Sequence, residues 1–128
     1  APAASSASAR RLTMKQAQLA YPRIVNPGSA LANKLASAAS GTAPFSQFRA
    51  AALAYASELG VEIGKFRAVR WPARVQSRIR SMITTGFPSI IRCLHAVAAA
   101  GSTAASQAVS NTNHDCQVAD NFTIPSTI

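Results

Sequence analysis

Apolar side chains recur along this chain at three- and four-residue intervals, the period of an amphipathic helix, and proline and glycine cut the pattern into segments. Residues 10–20 form a first short basic segment, which Tyr21-Pro22 is expected to close because the residue before proline is steered out of the α region. Asn26-Pro27-Gly28 restarts the chain with a capping residue and a proline at the first helical position. Leu31, Leu35 and Ala38/Ala39 then share a face as far as Gly41. Thr42-Ala43-Pro44 repeats the start signal, and Phe45, Phe48, Ala52, Tyr55, Ala56 and Leu59 follow at helical spacing to Gly60.

A longer segment covers residues 65–85, with Phe66, Val69, Ala73, Val75, Ile79, Met82 and Ile83 as its apolar positions. Pro72 makes it either two helices or one kinked helix. Gly86-Phe87-Pro88 is expected to end it and open a last helix through Ile90, Ile91, Leu94, Val97, Ala98, Gly101, Ala105 and Ala108. No alternation is long enough for a sheet. The expected fold is all-α: a helical bundle with an extended N-terminal helical arm and an irregular C-terminal tail. Residues 1–23 read as a flexible basic arm, 24–110 as the helical core and 111–128 as an extended tail.

Composition agrees with helices. The 128 residues include 28 Ala but only 8 aromatic side chains, and a core rich in Ala is one of closely approaching helices. The start, Ala1 to Ala9, lacks the apolar stretch of a signal peptide. Residues 90–109 are the most apolar, but Arg92, His95 and Gln107 interrupt them, so they read as a buried helix rather than a membrane span.

Charge changes the picture more. There are 13 Lys+Arg against 4 Asp+Glu, a formal net charge of +9. All the basic residues lie between Arg10 and Arg92, and the final 36 residues hold two Asp and no Lys or Arg. Unbalanced positive charge repels itself in a compact state, so its natural counterpart is a polyanion. Ten of the thirteen are Arg, whose planar fork grips phosphate in two places at once. So few carboxylates leave little for paired-acid catalysis, and the chain reads as a non-enzymatic protein without a cofactor. The candidate nucleic-acid-binding set is Arg10, Arg11, Lys15, Arg23, Lys34, Arg49, Lys65, Arg67, Arg70, Arg74, Arg78 and Arg80.

Within that set Arg67, Arg70, Arg74 and Arg78 are spaced 3, 4 and 4. On a continuous helix they would share one face as a cationic stripe about 16 Å long. A solvated surface face usually mixes Glu with its Arg, and this one does not. Trp71 beside the row reads as a packing anchor rather than a base-stacking ring.

Cys93-Leu94-His95 and His114-Asp115-Cys116 make a mirrored Cys/His set. Zinc is disfavoured, because Cys93 and His95, two apart on a helix, point to different sides. Two readings stay open: a Cys93–Cys116 disulfide, which implies an oxidising compartment or a hyperthermophilic source, or two separate thiols. Asn121-Phe122-Thr123 matches a glycosylation acceptor and reads as a chance match.

A basic, Ala-rich chain of this size, with a polar arm, Pro/Gly-punctuated helices and almost no acid, resembles the major coat proteins of filamentous archaeal DNA viruses of the rudivirus, lipothrixvirus and tristromavirus type. Val25-Asn26-Pro27 with Ala30 and Leu31, then Tyr55, Gly60-Val61, Arg67, Ala73-Arg74-Val75 and Arg78-Ile79, are similar in order to residues of rudivirus coat proteins, over residues 24–83. The resemblance implies all-α subunits that pair into dimers and wrap double-stranded DNA, held in the A form, inside a helical filament. It implies arm contacts at Arg10, Arg11, Lys15 and Arg23 and body contacts at Arg67, Arg70, Arg74 and Arg78. The partner would be double-stranded DNA before RNA. The subunit would be a homo-oligomer or a heterodimer with a related coat protein, and some members of the group carry an envelope. Localisation would be the virion, and the host cytoplasm during assembly. The polar, Cys-containing stretch after Ser110 departs from that pattern. The alternative reading is a basic ribosomal, RNA-binding or chromatin-type architectural protein.

Overall fold

The computed structural model describes residues 10–128; residues 1–9 of the expected arm lie outside them. The first helix, α1 (Met14–Ser40), begins on a capping box. The Thr13 hydroxyl accepts from the Gln16 backbone N–H at 3.1 Å, and the Gln16 side-chain oxygen accepts from the Thr13 N–H at 2.9 Å. That satisfies two backbone donors the helix itself leaves open. α1 does not stop at Tyr21-Pro22 or restart at Asn26: Pro22 and Pro27 both lie inside it. Each proline forfeits one i→i−4 bond, and the carbonyls left over belong to the exposed residues Gln18 and Arg23. Burial of Ala17, Tyr21, Ile24, Val25 and Gly28 along one face carries the helix through both.

The boundary at residue 23 therefore shifts. Residues 14–23 are core helix rather than arm, and residues 10–13 are held as well. Arg11 forms an isolated parallel bridge with Arg70, in which the Leu12 N–H donates to the Arg70 carbonyl at 2.8 Å. The same burial overrides Gly60. α2 (Phe45–Arg67) runs on past it because Phe66 is still to be buried. Gly in a helix interior costs about 1 kcal/mol relative to Ala, which a large buried ring such as Phe66 offsets.

Between α2 and α3 (Ala73–Ser81) the chain leaves the helix, and Pro72 stands at the N-cap, its carbonyl accepting from Val75 and Gln76. Of the two arrangements open at Pro72, the molecule adopts two helices. There is no stop at Gly86: a π-helical turn (Met82–Gly86) joins α3 directly to α4 (Phe87–Ala98). The expected last helix divides instead at Gly101, whose φ of 88° takes it into the left-handed region that favours glycine. α5 (Thr103–Thr112) and α6 (His114–Asp120) follow, capped by Ser102 and Asn113. The expected extended tail thus contains a helix, and only residues 121–128 are irregular. They are not loose: Phe122, Ile124 and Ile128 pack on the core, and the Tyr21 hydroxyl donates to the Pro125 carbonyl.

The fold is all-α, with no strand among the described residues. α1 packs on α2, α2 on α4, and α4 on α6. Buried Ala17, Ala52 and Ala56 lie in the core between them. At its centre is a chain of rings. Phe66 meets Tyr21 at 5.8 Å, Trp71 at 5.5 Å and Phe87 at 5.9 Å between centroids, and Phe87 meets Phe122 at 6.4 Å. Five of the eight aromatic side chains thereby tie α1, α2, the 68–72 connection, α4 and the C-terminal segment to one point. Tilted and edge-on pairs of this kind are each worth about 1 kcal/mol beyond the area they bury.

Cys93 on α4 and Cys116 on α6 are joined as a disulfide, so neither sulfur is available as a thiolate ligand. Beside it Arg92 Nε donates to Asp115 Oδ1 at 3.0 Å. No helix of the described residues is long and apolar enough to cross a membrane.

Candidate nucleic-acid interface

Every member of the candidate cationic set is exposed, but the arginine row is not a stripe. Because α2 ends at Arg67 and α3 begins at Ala73, Arg67 and Arg70 do not share a helix face with Arg74 and Arg78. Pro72 is the physical reason: its ring clashes with the carbonyl four residues back and it offers no N–H. The break redistributes the guanidinium groups into two clefts.

The first, of about 270 Å³, is lined by Arg11, Arg67, Arg70 and Arg80 together with Trp71 and Gln76. Three separate elements supply these arginines: the segment before α1, the end of α2 with the connection after it, and α3. Trp71 anchors the site from below. It is 4% exposed, and its indole N–H donates to the Phe66 carbonyl at 2.9 Å. The ring is thus a packing anchor, as its sequence position suggested, and the connection it pins presents Arg70 on the outside. Arg11 is positioned by two hydrogen bonds, to the Trp71 carbonyl at 3.2 Å and to Gln76 Oε1 at 3.3 Å. Neither acceptor carries a formal charge, so the cationic field of Arg11 is left uncancelled.

The second cleft holds Arg74 and Arg78, one turn apart on α3, with Met14, Gln18, Val75 and Ile128. Val75 and Ile79 form the buried face of α3, so its Arg74/Arg78 and Gln76/Arg80 pairs point to opposite flanks. Neither cleft has an Asp or Glu in its lining. Four like charges around one cleft raise its potential and concentrate anions there.

The remaining cations are not gathered in. Lys34 lines a separate α1–α2 cleft with Leu31, Gln47 and Ala54. Arg10, Lys15, Arg23, Arg49 and Lys65 line none of these clefts, standing exposed before α1, on α1 or on α2. Gln76 and the Trp71 carbonyl, which position Arg11, carry no signal in the sequence. Their partner lies 60 or more residues away. The same holds for the convergence of Arg11 with Arg80, although both are visible as basic residues.

The molecule so described is an all-α protein with six of its thirteen basic side chains lining two clefts that flank one short helix. Comparison with protein-family models, with curated proteins and with solved structures gives no match.

Proposed function

We propose that this chain is a structural nucleic-acid-packaging protein, the coat subunit of a filamentous virion that wraps double-stranded DNA through sequence-independent phosphate contacts. The observation that carries the reading is the cleft of Arg11, Arg67, Arg70 and Arg80, an acid-free cluster of forked donors assembled from three elements. Guanidinium groups suit phosphate oxygens in both charge and geometry. Few polar side chains suited to reading base edges stand beside them, which favours backbone contact over sequence readout. The resemblance of residues 24–83 to archaeal filamentous coat proteins supplies the filament and the duplex.

Electron microscopy of the purified protein mixed with linear duplex DNA tests it. Regular filaments whose length follows the DNA length are expected. Small oligomers that bind reversibly, or a preference for structured RNA over duplex, would replace this reading with that of a chromatin-type or RNA-binding protein. Affinity should fall steeply with salt and be indifferent to sequence.

A further inference from the structure

The capping box at Thr13 fixes the start of α1, and Arg10, Arg11 and Leu12 lead away from that point along the 68–72 connection. Little holds them there. The Leu12 N–H donates to the Arg70 carbonyl, and the Leu12 side chain is half-buried against the core. Arg11 adds its two hydrogen bonds, to the Trp71 carbonyl and to Gln76 Oε1, at or near the surface. Both leave from Nη1, so the rest of the guanidinium fork still faces the cleft. Surface contacts this few open locally at a small fraction of the cost of global unfolding.

Charge works against the docked arrangement. The bridge pairs Arg11 with Arg70, and like charges on paired residues are destabilising. Arg67 and Arg80 line the same cleft, and no acid does. The chain's own carboxylates are committed elsewhere. Asp115 pairs with Arg92, and Asp120 ends α6. Glu62 is 1% exposed beside a different cleft, of about 370 Å³, between α1, α2 and residues 122–126. There it is hydrogen-bonded to the half-buried Glu58 and to the Gly28 N–H. It lies so close to α1 that a Cβ at residue 28 would overlap its Oε2. The charge that relieves the arginine cleft must therefore come from outside.

We propose that residues 10–12 form an anion-operated latch: a phosphate-bearing anion in the cleft locks them onto the 68–72 connection, and the locked segment tightens the cleft's hold on the anion. The latch rests on the phosphate reading of this cleft and adds its regulation. The anion meets four guanidinium groups when the segment is docked and three when Arg11 is away, and that difference in affinity shifts the equilibrium. Linkage makes the effect reciprocal: whatever the anion adds to docking, docking adds to anion affinity. Gln76 suits this role. A neutral amide holds Arg11 more weakly than a carboxylate would and leaves its charge for the ligand.

The probe is sodium tripolyphosphate, added to the intact protein at pH 7, with sodium chloride at equal ionic strength as control. Hydrogen exchange at the Leu12 amide, followed by NMR, should slow at least about fivefold with tripolyphosphate and not with sodium chloride. Leu12→Pro keeps all four arginines but removes the donor to Arg70. Its affinity for tripolyphosphate, measured calorimetrically, should fall by the same factor while circular dichroism stays unchanged. Gln76→Glu gives Arg11 a carboxylate partner and tests the latch without touching the start of α1. It should slow Leu12 exchange before any anion is added, abolish the further slowing, and weaken tripolyphosphate binding. Tripolyphosphate bound with Leu12 exchange unchanged, or bound as tightly by both variants as by the parent, would overturn the latch and leave the phosphate reading standing. No saturable binding of tripolyphosphate would overturn both.

Discussion

The cationic cleft around Arg11 and the carboxyl cleft around Glu62 handle charge in opposite ways. Arg11, Arg67, Arg70 and Arg80 stand in solvent, where water and salt screen their mutual repulsion to a modest cost. Glu62 lies in the interior beside the half-buried Glu58, where screening is weak, and burial and Glu58 push its pKa up to about 8, which favours the protonated form. A charge left exposed can be used by an outside partner. A charge that is buried must be matched locally or given up. The first cleft accordingly keeps its charge toward solvent, where a polyanion could meet it, and the second gives its charge up inside the fold. Their supports differ as well: Trp71 and Pro72 hold the first, whereas the second is closed by residues 122–126, which follow the disulfide-tied helix α6.

The largest expected effect separates those supports. Reducing Cys93–Cys116 frees a loop of sequence separation 23, and a closure of that length is worth about 3 kcal/mol. Melting temperature should fall on reduction, and amide exchange should rise first across residues 114–128. The salt slope of DNA binding should not change. Slope and melting point moving together would show that the two clefts are not separately supported.

Next in size is the arginine cleft itself. Arg67→Gln with Arg80→Gln should lower the log–log salt slope by roughly 1.8, and binding at 0.1 M salt by roughly 50-fold, if each contacts one phosphate. Gln keeps helix propensity close to that of Arg, so the melting point should hold level. The same pair of changes at Arg74 and Arg78 measures whether the second flank of α3 shares the load. An unaltered slope in both double variants would move the DNA contacts to Arg10, Lys15 or Arg23.

Gly86→Ala acts on the other cleft. A Cβ at residue 86 would overlap the Phe122 ring, so the C-terminal segment must shift. The expected loss is about 1–2 kcal/mol, in line with overpacking elsewhere, with faster exchange at residues 122–126 and DNA affinity retained. Unchanged exchange there would mean that Phe122 does not seat that segment.

The smallest effect per step is the pH dependence from Glu62. Its pKa in the folded protein, about 8, lies above the ordinary value of 4.5. Below pH 4.5 it is protonated folded or unfolded, and its contribution is complete. Between 4.5 and 8 the unfolded chain releases the proton that the native state retains, so stability falls as pH rises, on the order of 1 kcal/mol per pH unit. Above 8 the loss is complete. Melting points measured from pH 4 to pH 9 should decline in that window, and Glu62→Gln should flatten the curve. A profile identical in the two proteins would remove Glu62 as its source.

Several features could be read from the chain alone, for reasons that are local. Helical periodicity depends on neighbours within one turn, so the all-α fold and the apolar faces of α2 and α3 were visible. So was the role of Trp71, since a lone Trp on a helix more often packs than stacks on a base. Boundaries were less so. Pro22, Pro27 and Gly60 are real local penalties, yet Tyr21, Val25 and Phe66 bury enough surface across them to carry the helices through. At Pro72 the local rule holds: the chain leaves the helix there although Phe66, Trp71 and Val75 are buried on either side, and the Trp71 indole is held by the Phe66 carbonyl in the non-helical connection.

The number and kind of charges were determined by the sequence by itself, and with them the excess of Arg over carboxylates. Which arginines act together was decided by the tertiary structure. The bridge between Arg11 and Arg70 and the turn at Pro72 join residues up to 69 positions apart in one cleft and split a row that looked continuous. The placement of Glu62 against Gly28 was decided in the same way. Charge is a property of composition and survives any fold, but proximity is a property of packing, and the contacts that create it lie far apart in the chain.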